Sequence, residues 1–192
     1  MSKENTKNLI IETALRLFSE RGRKNVNMDS VAEACGKCRR TIYNHFLNID
    51  MLYLATIEYE LDKMVKKLST IQEEKIPADE MLRKFVHVHF KSIQQATERN
   101  KTLRTTFYES YEDIDRARRP IDVKEIRLLK NIIDQGRTQG IFDLRESQWT
   151  AMLILYAIKG VELPFLKHSI GNWLEKNEDY VMGILQRSLT KR

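Results

Sequence analysis

The sequence contains few of the residues that interrupt helices or build covalent scaffolds. Its 192 residues include 3 prolines, 7 glycines and 2 cysteines. Two cysteines are too few for the disulfide framework of a secreted protein, and scarce proline and glycine favour long helices. No run of about 18 apolar residues is evident that would span a bilayer, and the N-terminus lacks the apolar core of a cleavable signal. These absences predict a soluble, cytoplasmic, all-α protein with no membrane partner.

The sequence signatures of catalysis and of metal binding are also missing. There is no glycine-rich phosphate loop, nucleophile elbow or His-Glu-x-x-His motif. Cys35 and Cys38 supply two thiolates where a structural zinc site needs four ligands; they are packing residues or, alternatively, a reversible disulfide. His87 and His89 lie two apart, which on a helix gives them nearly opposite directions. The sequence therefore predicts no enzyme, no metal site and no cofactor.

Positive charge is concentrated near the N-terminus. The chain has 33 Lys and Arg against 27 Asp and Glu, a net charge of +6, which is compatible with a polyanionic partner. Within residues 23–45, only Asp29 and Glu33 oppose five basic side chains: Arg23, Lys24, Lys37, Arg39 and Arg40.

Apolar periodicity and capping residues predict three helices at the N-terminus. The first covers residues 6–21 and ends at Gly22. Asn27 is the predicted N-cap of a second, short helix, Gly36 provides the turn after it, and a third helix covers residues 39–46. Two short helices joined by a tight turn form a helix-turn-helix, in which the second helix enters the major groove of DNA.

Long amphipathic helices follow from residue 50 onward. Asp50 is the predicted cap of a helix to residue 68, a second covers residues 79–97, and Pro120 is predicted to start a third that stops near Gly136. A further helix begins near residue 146, with a bend or break expected before Pro164, and the last covers residues 173–189. We therefore predict a helix-turn-helix head over residues 1–49 and a helical effector-binding and dimerisation body over residues 50–192.

Four segments within residues 6–52 carry a family resemblance. They are IETALRLF at 11–18, RG at 21–22, VAEACG at 31–36 and TIYNHF at 41–46. In order and spacing they are similar to the first three helices of the TetR family of bacterial transcriptional regulators. The resemblance implies a homodimer, most often a repressor, that binds a near-palindromic operator. It also implies a body that binds a small-molecule effector and dimerises through its last two long helices.

The basic and polar side chains of the head are the predicted DNA contacts. Arg39 and Arg40 open the third helix, and an arginine fork can pair with guanine O6 and N7. The resemblance places Thr41 and Tyr43 against the groove. The full predicted set is Lys24, Asn27, Lys37, Arg39, Arg40, Thr41, Tyr43, Asn44 and His45.

The head departs from the family pattern at three positions. Lys37 replaces a buried Val, Cys38 replaces a helix-capping Ser, and Ile49 replaces a Lys that touches phosphate. Loss of the Ser cap would cost about 1 kcal/mol unless other groups satisfy the amides of the third helix. We expect Arg39 and Arg40 to carry more of the DNA binding because of these changes.

Two sets of body residues are predicted to bind ligand and partner. The aromatic, histidine and methionine side chains of an effector pocket, which are alternatively plain core, are Phe85, His89, Phe107, Tyr108, Tyr111, Met152 and Tyr156. The predicted dimer interface is Trp149, Leu153, Ala157, Gly160, Val161, Val181, Ile184 and Leu185. The alternative function is a ligand-independent architectural or assembly protein that uses DNA as a platform.

Overall fold

The computed structural model describes residues 3–99, 111–167 and 176–190. These residues form helices without strands, which confirms the all-α prediction. Short 3-10 turns cover Arg23–Asn25 and Ile71–Glu73. The helices are α1 (Lys3–Arg21), α2 (Met28–Cys35), α3 (Arg39–Tyr43), α4 (Ile49–Thr70), α5 (Ala78–Arg99), α6 (Tyr111–Thr138), α7 (Ser147–Leu166) and α8 (Glu178–Leu189).

The chain divides into two compact units. The first contains the residues up to Lys63 together with Gln95–Arg119, and the second contains Met64–Gln94 together with the residues from Pro120 onward. The divisions fall inside α4, α5 and α6, so each of these helices contributes to both units. The functional boundary between residues 49 and 50 stays a prediction.

The first unit contains the predicted three-helix head. In this head α1 packs against α2, and α2 packs against α3. The apolar stripe of α1 is fully buried, as its periodicity predicts, at Ile10, Ala14, Leu17 and Phe18. Asn27 caps α2 as predicted: its side chain accepts from the Ser30 amide, and the Ser30 side chain accepts from the Asn27 amide. Gly22 and Gly36 have φ values of 79° and 62°, which few residues except glycine adopt without strain.

The third helix is shorter than predicted. It ends at Tyr43, and the prediction that it continues to Phe46 is wrong. The next residues turn, with the amides of His45 and Phe46 both donating to the Ile42 carbonyl. Ile42 and Phe46 are nevertheless buried. A helix of 5 residues is not stable alone, so these two side chains hold it on the scaffold.

Two further predicted helix starts, those of α4 and α6, are wrong because of local polar and packing effects. Asn48, and not Asp50, caps α4: its side-chain oxygen accepts from the Met51 amide at 2.8 Å, while Asp50 pairs with Arg23. Pro120 lies inside α6 and does not start it. Its φ suits a helix, and burial of the adjacent Ile121 offsets the lost backbone hydrogen bond.

The helix α7 continues through Pro164 to Leu166, so the predicted break is absent. The proline falls in the last turn, and Phe165 and Leu166 beyond it are buried. This helix is also long and apolar enough to cross a membrane by length and composition, contrary to the sequence-based expectation. It carries two charged side chains, Lys159 and Glu162, that pair with other helices of the second unit.

Candidate nucleic-acid interface and ligand groove

The α2–α3 pair has a buried apolar side, and the predicted DNA contacts lie on its other side. Val31 and Ala32 of α2 and Ile42 of α3 are buried, which fixes the two helices together. All nine predicted contact residues are at least partly exposed to solvent. Six are exposed and three are half-buried: Lys24, Asn27, Arg39, Arg40, Tyr43 and Asn44, and then Lys37, Thr41 and His45.

Arg39 is held between two side chains of the helix-turn-helix. Its Nε lies 3.1 Å from Oδ1 of Asp29 in the first turn of α2. Its guanidinium carbon lies 5.5 Å from the centre of the Tyr43 ring, one helical turn further along α3. Arg39 remains 64% exposed in spite of both contacts. Tyr43 was predicted to lie against the groove, whereas no short-range sequence signal indicates the contact of Asp29, which lies ten residues before Arg39.

Two of the predicted DNA contacts already make local hydrogen bonds. The Asn27 side-chain oxygen caps α2 at 2.8 Å from the Ser30 amide, and its NH₂ group takes no part in this cap. The hydroxyl of Thr41 lies 3.1 Å from the Cys38 sulfur. Hydrogen bonding by Thr41 lowers the pKa of the Cys38 thiol. Cys38 makes no side-chain cap bond, so the sulfur does not replace the capping Ser of the family pattern.

A second arginine joins the loop after α1 to the start of α4. Arg23 donates to Asp50 at 2.9 Å, and its guanidinium carbon lies 4.4 Å from the centre of the Tyr53 ring. The Tyr53 ring in turn meets the Phe18 ring edge-on, with 5.0 Å between centroids. Arg23 therefore anchors the head to α4 within the first unit. The partners lie about thirty residues apart, so no short-range sequence signal indicates the pairing.

The second unit contains a buried triad formed by His89 of α5, Glu125 of α6 and Glu162 of α7. Nδ1 of His89 lies 2.7 Å from Glu125, and Nε2 lies 2.6 Å from Glu162. All three residues are buried, and Oε2 of Glu125 has no hydrogen-bond partner. Burial alone lowers the pKa of His89, but the charge of Glu125 and hydrogen bonds to both carboxylates outweigh it and raise the pKa to about 9.

The ion pair Lys159–Asp122 lies close to the triad along α6 and α7. Its Nζ–Oδ2 distance is 2.5 Å, and both side chains are largely buried. Asp122 precedes Glu125 by three residues, and Lys159 precedes Glu162 by three residues. The two polar contacts therefore follow one another by about one turn along the same pair of helices.

An apolar groove of about 620 Å³ opens between α5, α7 and α8 of the second unit. Its polar side chains come mainly from α5. The residues that line it are Val86, His87, Phe90, Lys91, Gln94, Ile154, Ala157, Ile158, Val161, Phe165, Val181, Met182, Ile184, Leu185 and Ser188.

The groove is lined by residues predicted for the dimer interface and not by those predicted for the effector pocket. Of the predicted pocket, Phe85 and His89 are core residues, Met152 is half-buried and Tyr156 is exposed. None of these four lines the groove. Phe107 and Tyr108 lie outside the described residues, as does the Tyr111 side chain. Five predicted interface residues line the groove instead: Ala157, Val161, Val181, Ile184 and Leu185.

A different face of α7 carries an exposed apolar stripe. Exposed residues recur at steps of three and four along the helix and therefore lie on one face of it. Trp149 is 63% exposed and Leu153 is 71% exposed. We define the α7 stripe as Trp149, Leu153, Tyr156, Gly160 and Leu163, all of which are exposed.

The N-terminal region matches a known protein family. Residues 10–56 match the family described as bacterial regulatory proteins, tetR family. The HTH-type transcriptional regulators YerO and YuxN of Bacillus subtilis (strain 168) are similar to parts of the chain. YerO is 29% identical over 46% of this chain and 31% of its own length, and YuxN is 31% identical over 33% and 22%. The chain thus spans about a third of YerO and less of YuxN.

Solved structures share the fold over nearly the whole chain. A transcriptional regulator from Cytophaga hutchinsonii ATCC 33406 superimposes with a TM-score of 0.74 at 21% identity, covering 96% of this chain and 98% of that one. FadR from Bacillus subtilis, in complex with stearoyl-CoA, gives 0.67 at 17% identity, with 93% and 96% covered. The fatty acid degradation regulator FadR from Bacillus halodurans gives 0.70 at 18% identity, with 94% of each covered.

Proposed function

We propose that this chain, whose residues 10–56 match the TetR family of bacterial regulatory proteins, binds a specific DNA operator as a homodimer and represses transcription until a small-molecule effector releases it. The observation that carries the proposal is the pair of exposed arginines, Arg39 and Arg40, in the first turn of α3. Phosphate contacts position such a head, and base contacts of this kind specify the site. The DNA partner implies a cytoplasmic location.

Selection of duplexes from a random library by the purified protein tests this function. We expect a near-palindromic consensus, because two identical heads related by a two-fold axis read equivalent half-sites. Recovery of duplexes without a common sequence would contradict sequence-specific regulation. That result would favour the alternative of an architectural protein that uses DNA as a platform.

The α7 stripe is the surface that we propose for dimerisation. A contiguous exposed apolar face on a soluble protein indicates a protein contact, and a two-fold interface requires one self-complementary surface. Tyr180 of α8 is a further exposed apolar residue of the second unit. Trp149, Leu153 and Gly160 of the predicted interface belong to the stripe. The remaining five predicted interface residues line the groove and are less suited to this role.

Leu153→Glu is expected to convert the protein to monomers. The charge would be buried against the partner subunit, without a counter-ion, in the proposed interface. Sedimentation velocity at micromolar concentration measures the change. Val123→Glu is the matched control, since Val123 is 58% exposed on α6 outside the stripe. Dimers that persist in Leu153→Glu would contradict the proposed surface.

The groove is the site that we propose for the effector. Apolar walls from α5, α7 and α8 suit an extended hydrocarbon chain, while Lys91 and His87 supply cationic or polar groups for an acidic head. The FadR structure, which has a similar fold, is a complex with stearoyl-CoA. A long-chain acyl thioester of coenzyme A is therefore the ligand class that we propose.

Stearoyl-CoA is expected to raise the melting temperature of the protein and to release it from the selected duplex. A ligand that binds only the folded state stabilises it by about 2.7 kcal/mol at a hundred times its Kd. Ile158→Trp should abolish the shift by filling the groove, whereas Val123→Trp on exposed α6 should retain it. Free coenzyme A should shift the melting temperature less, because it lacks the chain. No shift with stearoyl-CoA would contradict the effector class.

A further inference from the structure

We propose that Asp29 is a positioning residue that sets the base specificity of Arg39. This inference rests on the proposed function, because it concerns how α3 reads its operator. Asp29 belongs to α2, and its carboxylate contacts Arg39 at the first position of α3. The contact therefore joins the two helices of the helix-turn-helix on their exposed side.

The geometry of the contact indicates that Asp29 orients the Arg39 side chain and does not keep it away from DNA. The closest approach is 3.1 Å from Nε of Arg39 to Oδ1 of Asp29. Guanine is read by a fork of two guanidinium nitrogens, and an ion pair made through Nε does not require both terminal nitrogens. A long arginine side chain that is already fixed in one direction loses less conformational entropy when it meets a base. Pairing to a carboxylate thus prepares the guanidinium for one base position.

The Tyr43 ring restricts Arg39 from a second side. It lies 5.5 Å from the guanidinium carbon, within the range of a cation–π contact. Asp29 and Tyr43 lie on different helices, so together they limit both the direction and the plane of the guanidinium.

A carboxylate on the DNA side of a basic head also acts against non-specific binding. Asp29 is 59% exposed and brings negative charge next to the predicted DNA contact Arg39. Non-specific affinity depends on charge neutralisation of phosphates, so this carboxylate lowers it. Its removal is therefore expected to change two quantities in opposite senses: selectivity falls, and affinity for unrelated DNA rises.

The test compares Asp29→Asn with wild type on the duplex selected by wild type and on an unrelated duplex of equal length. Every base pair of one half-site is also varied in turn. Arg39→Ala first identifies the base pair that Arg39 reads. At that base pair we expect Asp29→Asn to reduce discrimination about five- to ten-fold, part of the discrimination that a bidentate arginine contact provides. Affinity for the unrelated duplex should rise.

Asp50→Asn is the matched control. It removes the same charge from the Asp–Arg pair that joins the head to α4, Arg23–Asp50, which does not involve α3. Discrimination at the Arg39 base pair should be unchanged in this variant. In the Arg39→Ala background, Asp29→Asn should have no further effect on that discrimination.

Unchanged discrimination in Asp29→Asn would overturn the inference and leave only a general charge effect. Sharper discrimination at the Arg39 base pair would also overturn it, because Asp29 would then restrain Arg39 from DNA. Failure of wild type to select any sequence would contradict the proposed function itself, and the inference with it. The first two outcomes leave the proposed function intact, so the two failures are distinguishable.

Discussion

Simultaneous replacement of Arg39 and Arg40 by alanine is expected to abolish selective binding to the operator duplex. Each bidentate arginine–guanine contact provides about 1–3 kcal/mol of discrimination, so loss of two reduces specific affinity by about thirty-fold or more. Both side chains are exposed, and neither belongs to the core of the head. The fold should therefore survive, with an unchanged thermal midpoint. A gel-shift titration against the selected and the unrelated duplex measures the effect.

The control variant removes two positive charges elsewhere. Arg127 and Arg145 are exposed residues of the second unit, and their double alanine replacement should leave the specificity ratio unchanged. Salt dependence gives a second measurement. If the arginines contact bases alone, the slope of affinity with salt stays close to wild type; each phosphate contact that is lost reduces it by about one. Equal losses on both duplexes would show that the arginines contact phosphate and do not read sequence.

The head could be predicted from sequence because its signals are local. Apolar spacing in α1, the Asn27 cap and the glycines with positive φ each act within a few residues. The wrongly predicted helix ends and cap arise because tertiary contacts outweigh local propensity. Pro120 and Pro164 indicate helix ends by propensity, but burial of Ile121 and Phe165 next to them stabilises a continuous helix. Asp50 and Asn48 are both good caps, and only the pairing of Asp50 with Arg23 decides between them.

The body could not be divided into core, groove and outer surface from sequence alone. Apolar residues occur on most sides of α7, and the periodicity does not say which side meets α5, α8 or solvent. The predicted interface therefore mixed residues of the stripe, such as Leu153, with groove residues, such as Val161. The triad poses the same difficulty, because Glu125 and Glu162 lie 36 and 73 residues from His89. Only the packing of three helices brings them together.

His89→Ala is expected to cause the largest loss of stability among single substitutions in the body. A neutral imidazole has one donor and one acceptor nitrogen, yet both nitrogens of His89 contact carboxylates. With two ionised carboxylates, the triad therefore holds one proton more than a neutral imidazole would carry. Each His89–carboxylate contact then has a donor, and the net charge of the triad is −1. Removing the ring leaves two buried carboxylates without a counter-charge, and breaking such a pair costs about 3–5 kcal/mol.

Urea unfolding of His89→Ala measures this loss, with His87→Ala as the matched control. His87 is a histidine on the same helix but is exposed, so its replacement should change the free energy of unfolding little. If His89→Ala fails to fold, a triple replacement of His89, Glu125 and Glu162 by leucine keeps the test decisive. Apolar substitutes for a whole buried ionic cluster are often neutral or stabilising. An unstable triple variant together with a stable His89→Ala would contradict the electrostatic account.

The same triad predicts that the protein loses stability in alkaline solution. The pKa of His89 is raised to about 9 in the folded protein, above its ordinary value of 6.5. Its stabilisation is therefore fully present below pH 6.5 and is lost as the pH rises through about 9, by roughly 3 kcal/mol in total. The opposing charges in the site are Glu125 and Glu162, with the neighbouring Lys159–Asp122 pair neutral in sum. The free energy of unfolding, measured in urea across this range, should fall in wild type and stay flatter in the triple leucine variant. Equal slopes in the two proteins would place the alkaline titration in groups other than His89.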